Sequence, residues 1–258
     1  MWNNHRALNF VSKLLVSSVV VTALYGIGLH LVKPPFFPIK EINIQAARSD
    51  KNNYHELQYV TREQIDYLVK NELQGNFISV NLTAVREAFV KLPWVREAKI
   101  NREWPHGLNV VLEEHRAMAY WGDHALVNTY GEVFRVTAKM DLPTFTGPNE
   151  ASAQEVAQQY QRFNKILGSI DQKIAEITLT PRYAWRLRLN TSTVLELGRN
   201  EVEDRLARYV SVYNHSIARW NQQQPLMYVD LRYPNGFAIR MSAEMEQESR
   251  KKNVKKEA

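Results

Sequence analysis

At 258 residues, 45% hydrophobic and 23% charged, the chain has the length and composition of one or two cored globular domains, not of a repeat array or a disordered polymer. The net charge of +6 invites a nucleic-acid reading. Acidic residues are interleaved with the basic ones, as across 199–208, and no nucleic-acid module accompanies them, so that class is set aside. The absence of cysteine excludes disulfides, thiolate metal sites and cysteine nucleophiles.

Residues 14–32 form a run of 19 without Asp, Glu, Lys or Arg. As a helix this run is about 28 Å long, close to the hydrocarbon thickness of a bilayer. Ser17, Ser18 and Thr22 can bond back to the preceding turn, and Lys13 can reach the headgroups. Pro34 and Pro35 then stop the helix. The rival, a cleavable signal peptide, asks for a shorter apolar core followed by a small-x-small site. The expected division is a cytoplasmic segment at 1–12 and a transmembrane helix at 13–33. The flanking charge bias, with Arg6 and Lys13 before the helix, gives only slight support to a cytoplasmic N-terminus.

The next expected module covers 36–116. Alternation of Ile42 and Ile44 predicts a strand over 39–44, followed by a polar loop. Thr61 and Gln64 have capping-box spacing, and Ile65, Leu68, Val69 and Leu73 then mark a helix that Gly75 ends. A second helix carries Val85, Ala88, Phe89 and Leu92 and stops at Pro93. A strand over 95–102, a turn over 104–107 and alternating Leu108, Val110 and Leu112 complete a β-α-α-β-β order. Trp94 and Trp104 read as core residues.

A second module is expected over 117–242. Strands are predicted at 117–121, 132–136, 174–180, 185–189, 194–197, 226–233 and 237–241. One helix carries Val156, Tyr160, Phe163, Ile166 and Leu167; another runs over 201–220 with Leu206, Tyr209 and Tyr213 on its stripe. Asn128 to Gly131 reads as a hairpin turn, and Pro234-Asn235-Gly236 as a tight turn using positive φ angles. The charged segment 243–258 reads as a disordered tail.

Leu92-Pro93-Trp94-Val95, Arg102-Glu103-Trp104-Pro105 and Leu108 to Glu113 resemble the POTRA domain of the FtsQ/DivIB family of bacterial cell-division proteins. Ala119 to Gly122, Asn128 to Phe134, Leu197-Gly198-Arg199 and Val229 to Ala238 are similar to that family's β-domain. The resemblance covers nearly the whole chain. It implies an α+β fold: a single N-terminal transmembrane helix, a POTRA domain, then a mixed α/β domain with a mostly antiparallel sheet. It departs from the family in a long loop over 46–59 and a short cytoplasmic segment.

The resemblance further implies a scaffold of the inner membrane at the division septum, with its bulk in the periplasm. The partners it implies are FtsB and FtsL, with FtsK, FtsW, FtsI and FtsN as further possibilities. The docking edge would be the last strand of the β-domain, with contact roles for Arg182, Arg232, Tyr233, Asn235 and Gly236. A recruitment surface on the POTRA domain would use Glu97, Ile100 and Arg102. The alternative reading is a POTRA-bearing component of secretion or outer-membrane assembly.

No catalytic motif appears. Glu113 and His115 share one face of a strand, a weak metal motif that reads as a solvated strand end. Asp123-His124 lacks a Ser or Cys partner at a recognisable spacing. No enzyme activity, cofactor, nucleic acid or small-molecule substrate is expected.

Overall fold

The computed structural model describes residues 5–31, 37–47, 57–73, 75–217 and 225–241. The chain divides into two compact units, Met1–His115 and Arg116–Ala258. Pro34, Pro35, Trp220, most of the 46–59 loop and the tail expected to be disordered lie outside the described residues.

Helix α1 spans His5–Leu31, starting earlier than the apolar run alone predicts. Its stretch Leu8–Gly28 is long and apolar enough to cross a bilayer, and none of it packs against the rest of the chain. Thr22 returns its hydroxyl to the carbonyls of Ser18 (2.8 Å) and Val19 (3.0 Å), which makes a polar side chain tolerable in an apolar helix.

In the first unit, β1 (Glu41–Ala46), α2 (Arg62–Glu72), α3 (Leu82–Val90), β2 (Val95–Glu103) and β3 (Gly107–Glu114) follow the expected β-α-α-β-β order. The sheet order is β1-β3-β2, with β1 parallel and β2 antiparallel to β3. The Thr61 capping box forms: its hydroxyl accepts from Gln64 N and Gln64 returns the bond to Thr61 N. Asn81 caps α3 without a returned bond, its side-chain oxygen accepting from the amides of Thr83 and Ala84. Val85, Ala88 and Phe89 bury the α3 stripe against Leu108, Val110 and Leu112, which alternation turns to the same side of β3.

The Glu114 carboxylate accepts from the amides of Gln58, Tyr59 and Val60 at 2.7–2.9 Å, holding the segment that leads into α2. Tyr59 then stacks on Trp94 at 3.8 Å between ring centroids. The Trp94 reading as a packed residue therefore agrees with the fold. That of Trp104 does not: this indole is 82% exposed. It follows the last residue of β2, beyond the reach of the strand's alternation, and its ring meets Phe77 edge-on.

The second unit is built on a nine-stranded sheet. Its strands are β4 (Ala117–Trp121), β5 (Ala125–Asn128), β6 (Val133–Phe134), β7 (Thr144–Thr146), β8 (Ile174–Leu179), β9 (Trp185–Leu189), β10 (Val194–Gly198), β11 (Leu226–Asp230) and β12 (Ala238–Met241). The order across the sheet is β12-β11-β10-β9-β8-β7-β4-β5-β6. Adjacent pairs are mostly antiparallel; β4–β7, β7–β8 and β10–β11 are parallel. Two of these parallel joins need crossovers, supplied by α4 (Ala153–Leu167) between β7 and β8 and by α5 (Val202–Val212) between β10 and β11.

The cross-strand register sorts the sheet into two faces. Ile177, Leu187, Leu195 and Val229 lie in one row and join the core with Phe163 and Leu167 of α4 and Leu206 and Tyr209 of α5. The neighbouring row, Thr178, Arg186, Glu196, Asp230 and Ala238, lies on the opposite face.

Strands β5 and β7 are additional to the expected set, and two further elements depart from expectation. Helix α5 gives way to a wider π-turn over Tyr213–Ile217. Strand β11 ends at Asp230, and neither Asn235 nor Gly236 takes a positive φ. The connection over 231–237 is longer than a two-residue hairpin loop, so the chain reverses without left-handed residues.

Candidate protein-docking edge

Strand β12 is the terminal strand of the large sheet, bonded to β11 on one side; among the described residues no strand pairs with its other side. An edge of this kind presents free backbone N–H and C=O groups. Ala238 and Arg240 are exposed on it, and Arg240 sits 5.6 Å from the Tyr228 ring of β11. Burial raises the Tyr228 phenol's pKa, and the nearby carboxylates of Glu196 and Asp230 add to the effect.

The turn entering β12 is fixed from two sides. Asp230 accepts from Arg232 Nε at 2.8 Å, from Arg232 Nη2 at 2.6 Å and from the Arg232 amide at 3.1 Å. These bonds hold the Asp230 carboxyl below the usual carboxylate range and push the Arg232 guanidinium up. From α5, Arg208 Nη1 donates to the carbonyls of Tyr233 (3.0 Å) and Pro234 (2.7 Å). Gly198, at φ +80°, leaves room for the Arg232 stem: a Cβ there would lie 3.2 Å from Arg232 Cγ. The Tyr233 side chain is left 55% exposed on this braced turn.

Of the residues expected at this edge, Arg232, Tyr233, Asn235 and Gly236 share the one turn. Arg182 lies in the β8–β9 hairpin. That hairpin opens at the same end of the sheet, because Trp185 pairs with Gly198 and Glu196 with Asp230. Strands β9 and β11 are separated by β10, hence about 10 Å apart. The Arg232 guanidinium is engaged by Asp230, which makes it a positioning group for the turn. A Cβ at Gly236 would meet open space, so no close approach within the chain requires glycine there. Asp230 and Arg208 escaped sequence reading, although Asp230 two residues before Arg232 was a visible signal. So did Tyr183, 60% exposed beside Arg182 at φ +58°.

On the first unit the three expected recruitment residues do not share a surface. Glu97 pairs across β2–β3 with Glu113 and lies near Arg96 (3.8 Å) and Lys99 (3.7 Å). Ile100 pairs with buried Val110 and packs on the core. Arg102 lies on that same side and donates to the carbonyls of Phe77 (2.8 Å), Ile78 (3.1 Å) and Val80 (2.9 Å). Arg102→Ala should therefore destabilise the chain by about 2 kcal/mol, the order expected for charge-assisted bonds to carbonyls. Urea unfolding checks this; unchanged stability would leave Arg102 a surface role alone.

Both carboxylates of the Glu113-Glu114-His115 cluster have partners within the chain. Glu113 bonds Arg96 at 3.1 Å, and Glu114 caps the 58–60 amides. Among the described residues no three His, Asp or Glu side chains converge on a metal-sized site.

Comparison with known proteins gives this architecture its family. Residues 55–115 match the POTRA domain of FtsQ type, and residues 119–232 match the C-terminal domain of cell division protein FtsQ/DivIB. The cell division protein FtsQ of Nitrosospira multiformis is 45% identical over 240 residues, covering 93% of this chain and 99% of that protein. That of Burkholderia pseudomallei is 36% identical over 247 residues, covering 93% and 94%. The chain belongs to the FtsQ/DivIB family. It is thus a membrane-anchored divisome protein with an FtsQ-type POTRA unit and a β-rich second unit. The FtsQ/DivIB C-terminal match ends at Arg232, so the Tyr233 turn and β12 follow the matched region.

Proposed function

We infer that this FtsQ-family chain is a non-enzymatic scaffold whose second unit docks other division proteins by strand addition at β12. The observation that carries the reading is the position of β12 at the end of the sheet, next to a turn braced by Asp230 and Arg208. A partner strand laid along β12 would gain backbone hydrogen bonds, while exposed side chains beside it would select the partner. The partners are FtsB and FtsL, with FtsK, FtsW, FtsI and FtsN as further candidates through the rest of the molecule. Helix α1 holds the chain in the inner membrane with its N-terminus cytoplasmic and both units periplasmic, and the protein gathers at the septum. In the POTRA unit Glu97 is the candidate recruitment residue; Ile100 and Arg102 support it through packing and hydrogen bonding.

A photo-crosslinking side chain at Arg240, on β12, should capture FtsB or FtsL in cells. The same probe at Arg135, next to the opposite edge strand β6, should not. Capture at 135 with none at 240 would place docking at the wrong end of the sheet for this reading.

A further inference from the structure

One apolar surface lies outside the docking edge. Trp104 is 82% exposed, Ile78 46% and Phe37 38%. They come from three segments tied together at one end of the POTRA unit. Phe77 N donates to Phe37 O at 2.8 Å, Arg102 holds the carbonyls of Phe77 and Ile78, and Phe77 meets the Trp104 ring edge-on at 6.5 Å. This is also the end where the sheet begins: Lys40 N donates to His106 O, and Glu41 pairs with Gly107.

Chain length says what lies nearby. Helix α1 ends at Leu31, and its apolar span ends at Gly28. The six residue steps from Leu31 to Phe37 cover at most about 20 Å even when fully extended. The end of the unit bearing Trp104 is therefore the end held close to the bilayer. Tryptophan is the side chain that best suits the headgroup layer, with an apolar body and one N–H donor. Lys40, exposed at the same end, offers an ammonium to lipid phosphate.

We propose that the Trp104–Ile78–Phe37 surface inserts into the interfacial layer of the bilayer that holds α1, forming a second membrane contact. The POTRA unit is then seated on the membrane at a fixed tilt instead of swinging on its linker. The occupant is lipid because the membrane-spanning helix delivers the surface there, whichever proteins bind elsewhere.

The chain has no cysteine, so single substitutions place a probe uniquely. The full-length protein carrying Ile78→Cys, which keeps Trp104, is labelled with nitrobenzoxadiazole. It is then reconstituted into phosphatidylethanolamine–phosphatidylglycerol vesicles containing lipid spin-labelled near the glycerol. The label at 78 should shift to the blue and lose most of its emission. A label at Lys91→Cys, beyond the far end of β2 and about 20–25 Å away, should stay bright. Adding Trp104→Ser to the labelled Ile78→Cys chain should weaken the quenching. Equal, weak quenching at 78 and 91 would overturn the proposal. So would a label at 78 that stays bright in vesicles and is shielded only when other envelope proteins are reconstituted with the chain, which would assign the surface to a protein.

Discussion

Tyr233→Ala should raise the Kd for the FtsB–FtsL assembly by roughly 30- to 700-fold, corresponding to about 2–4 kcal/mol. The side chain is 55% exposed, and Arg208 holds the Tyr233 backbone carbonyl, not its ring. Truncation therefore leaves the turn in place and the unit folded. A tyrosine projecting from a braced turn has little conformational freedom left to lose on binding, which is the condition for a strong anchor. Titration of the purified periplasmic partners against the full chain in nanodiscs measures the change, with thermal unfolding as the folding control. A Kd within threefold of the parent, with Tm unchanged, would remove Tyr233 from the contact.

Phe163→Ala should destabilise the second unit by about 3–5 kcal/mol. Phe163 is fully buried on α4 and meets Trp185 of β9 edge-on at 5.9 Å between ring centroids. Its removal leaves a cavity between α4 and the centre of the sheet, where neighbours from two elements cannot both collapse. Total domain stabilities of about 5–15 kcal/mol make this a large fraction. Urea unfolding followed by tryptophan fluorescence would show it as a lowered midpoint with the slope retained. A loss below about 1 kcal/mol would mean that α4 is not a principal support of the docking sheet.

The two predictions separate side-chain contact from scaffold support, and the sequence was informative about each to a different degree. The Phe163 stripe, the Thr61–Gln64 capping box and the alternation of Leu108, Val110 and Leu112 were legible because each is a local pattern with a physical period. The order of the large sheet was not, since the period of a strand does not name the strand it pairs with. For that reason Arg182 and Tyr233 could be related only through family resemblance, while the register brings their two hairpins to one end of the sheet. Arg102 and Arg232 show the other limit. Both read as surface cations, yet one guanidinium gathers three carbonyls and the other a carboxylate two residues away. Trp104 failed in the opposite sense. Its size suggested the core, and only the end of β2 one residue earlier explains its exposure.

The central claim is that a partner strand is added along β12. Amide hydrogen exchange of the full chain in nanodiscs, with and without the FtsB–FtsL assembly, tests it most directly. The account predicts new protection across 238–241 and at the Tyr233 turn, with β6 amides at 133–134 unchanged. Saturating partner with unaltered exchange across 238–241, or protection confined to other elements, would contradict it.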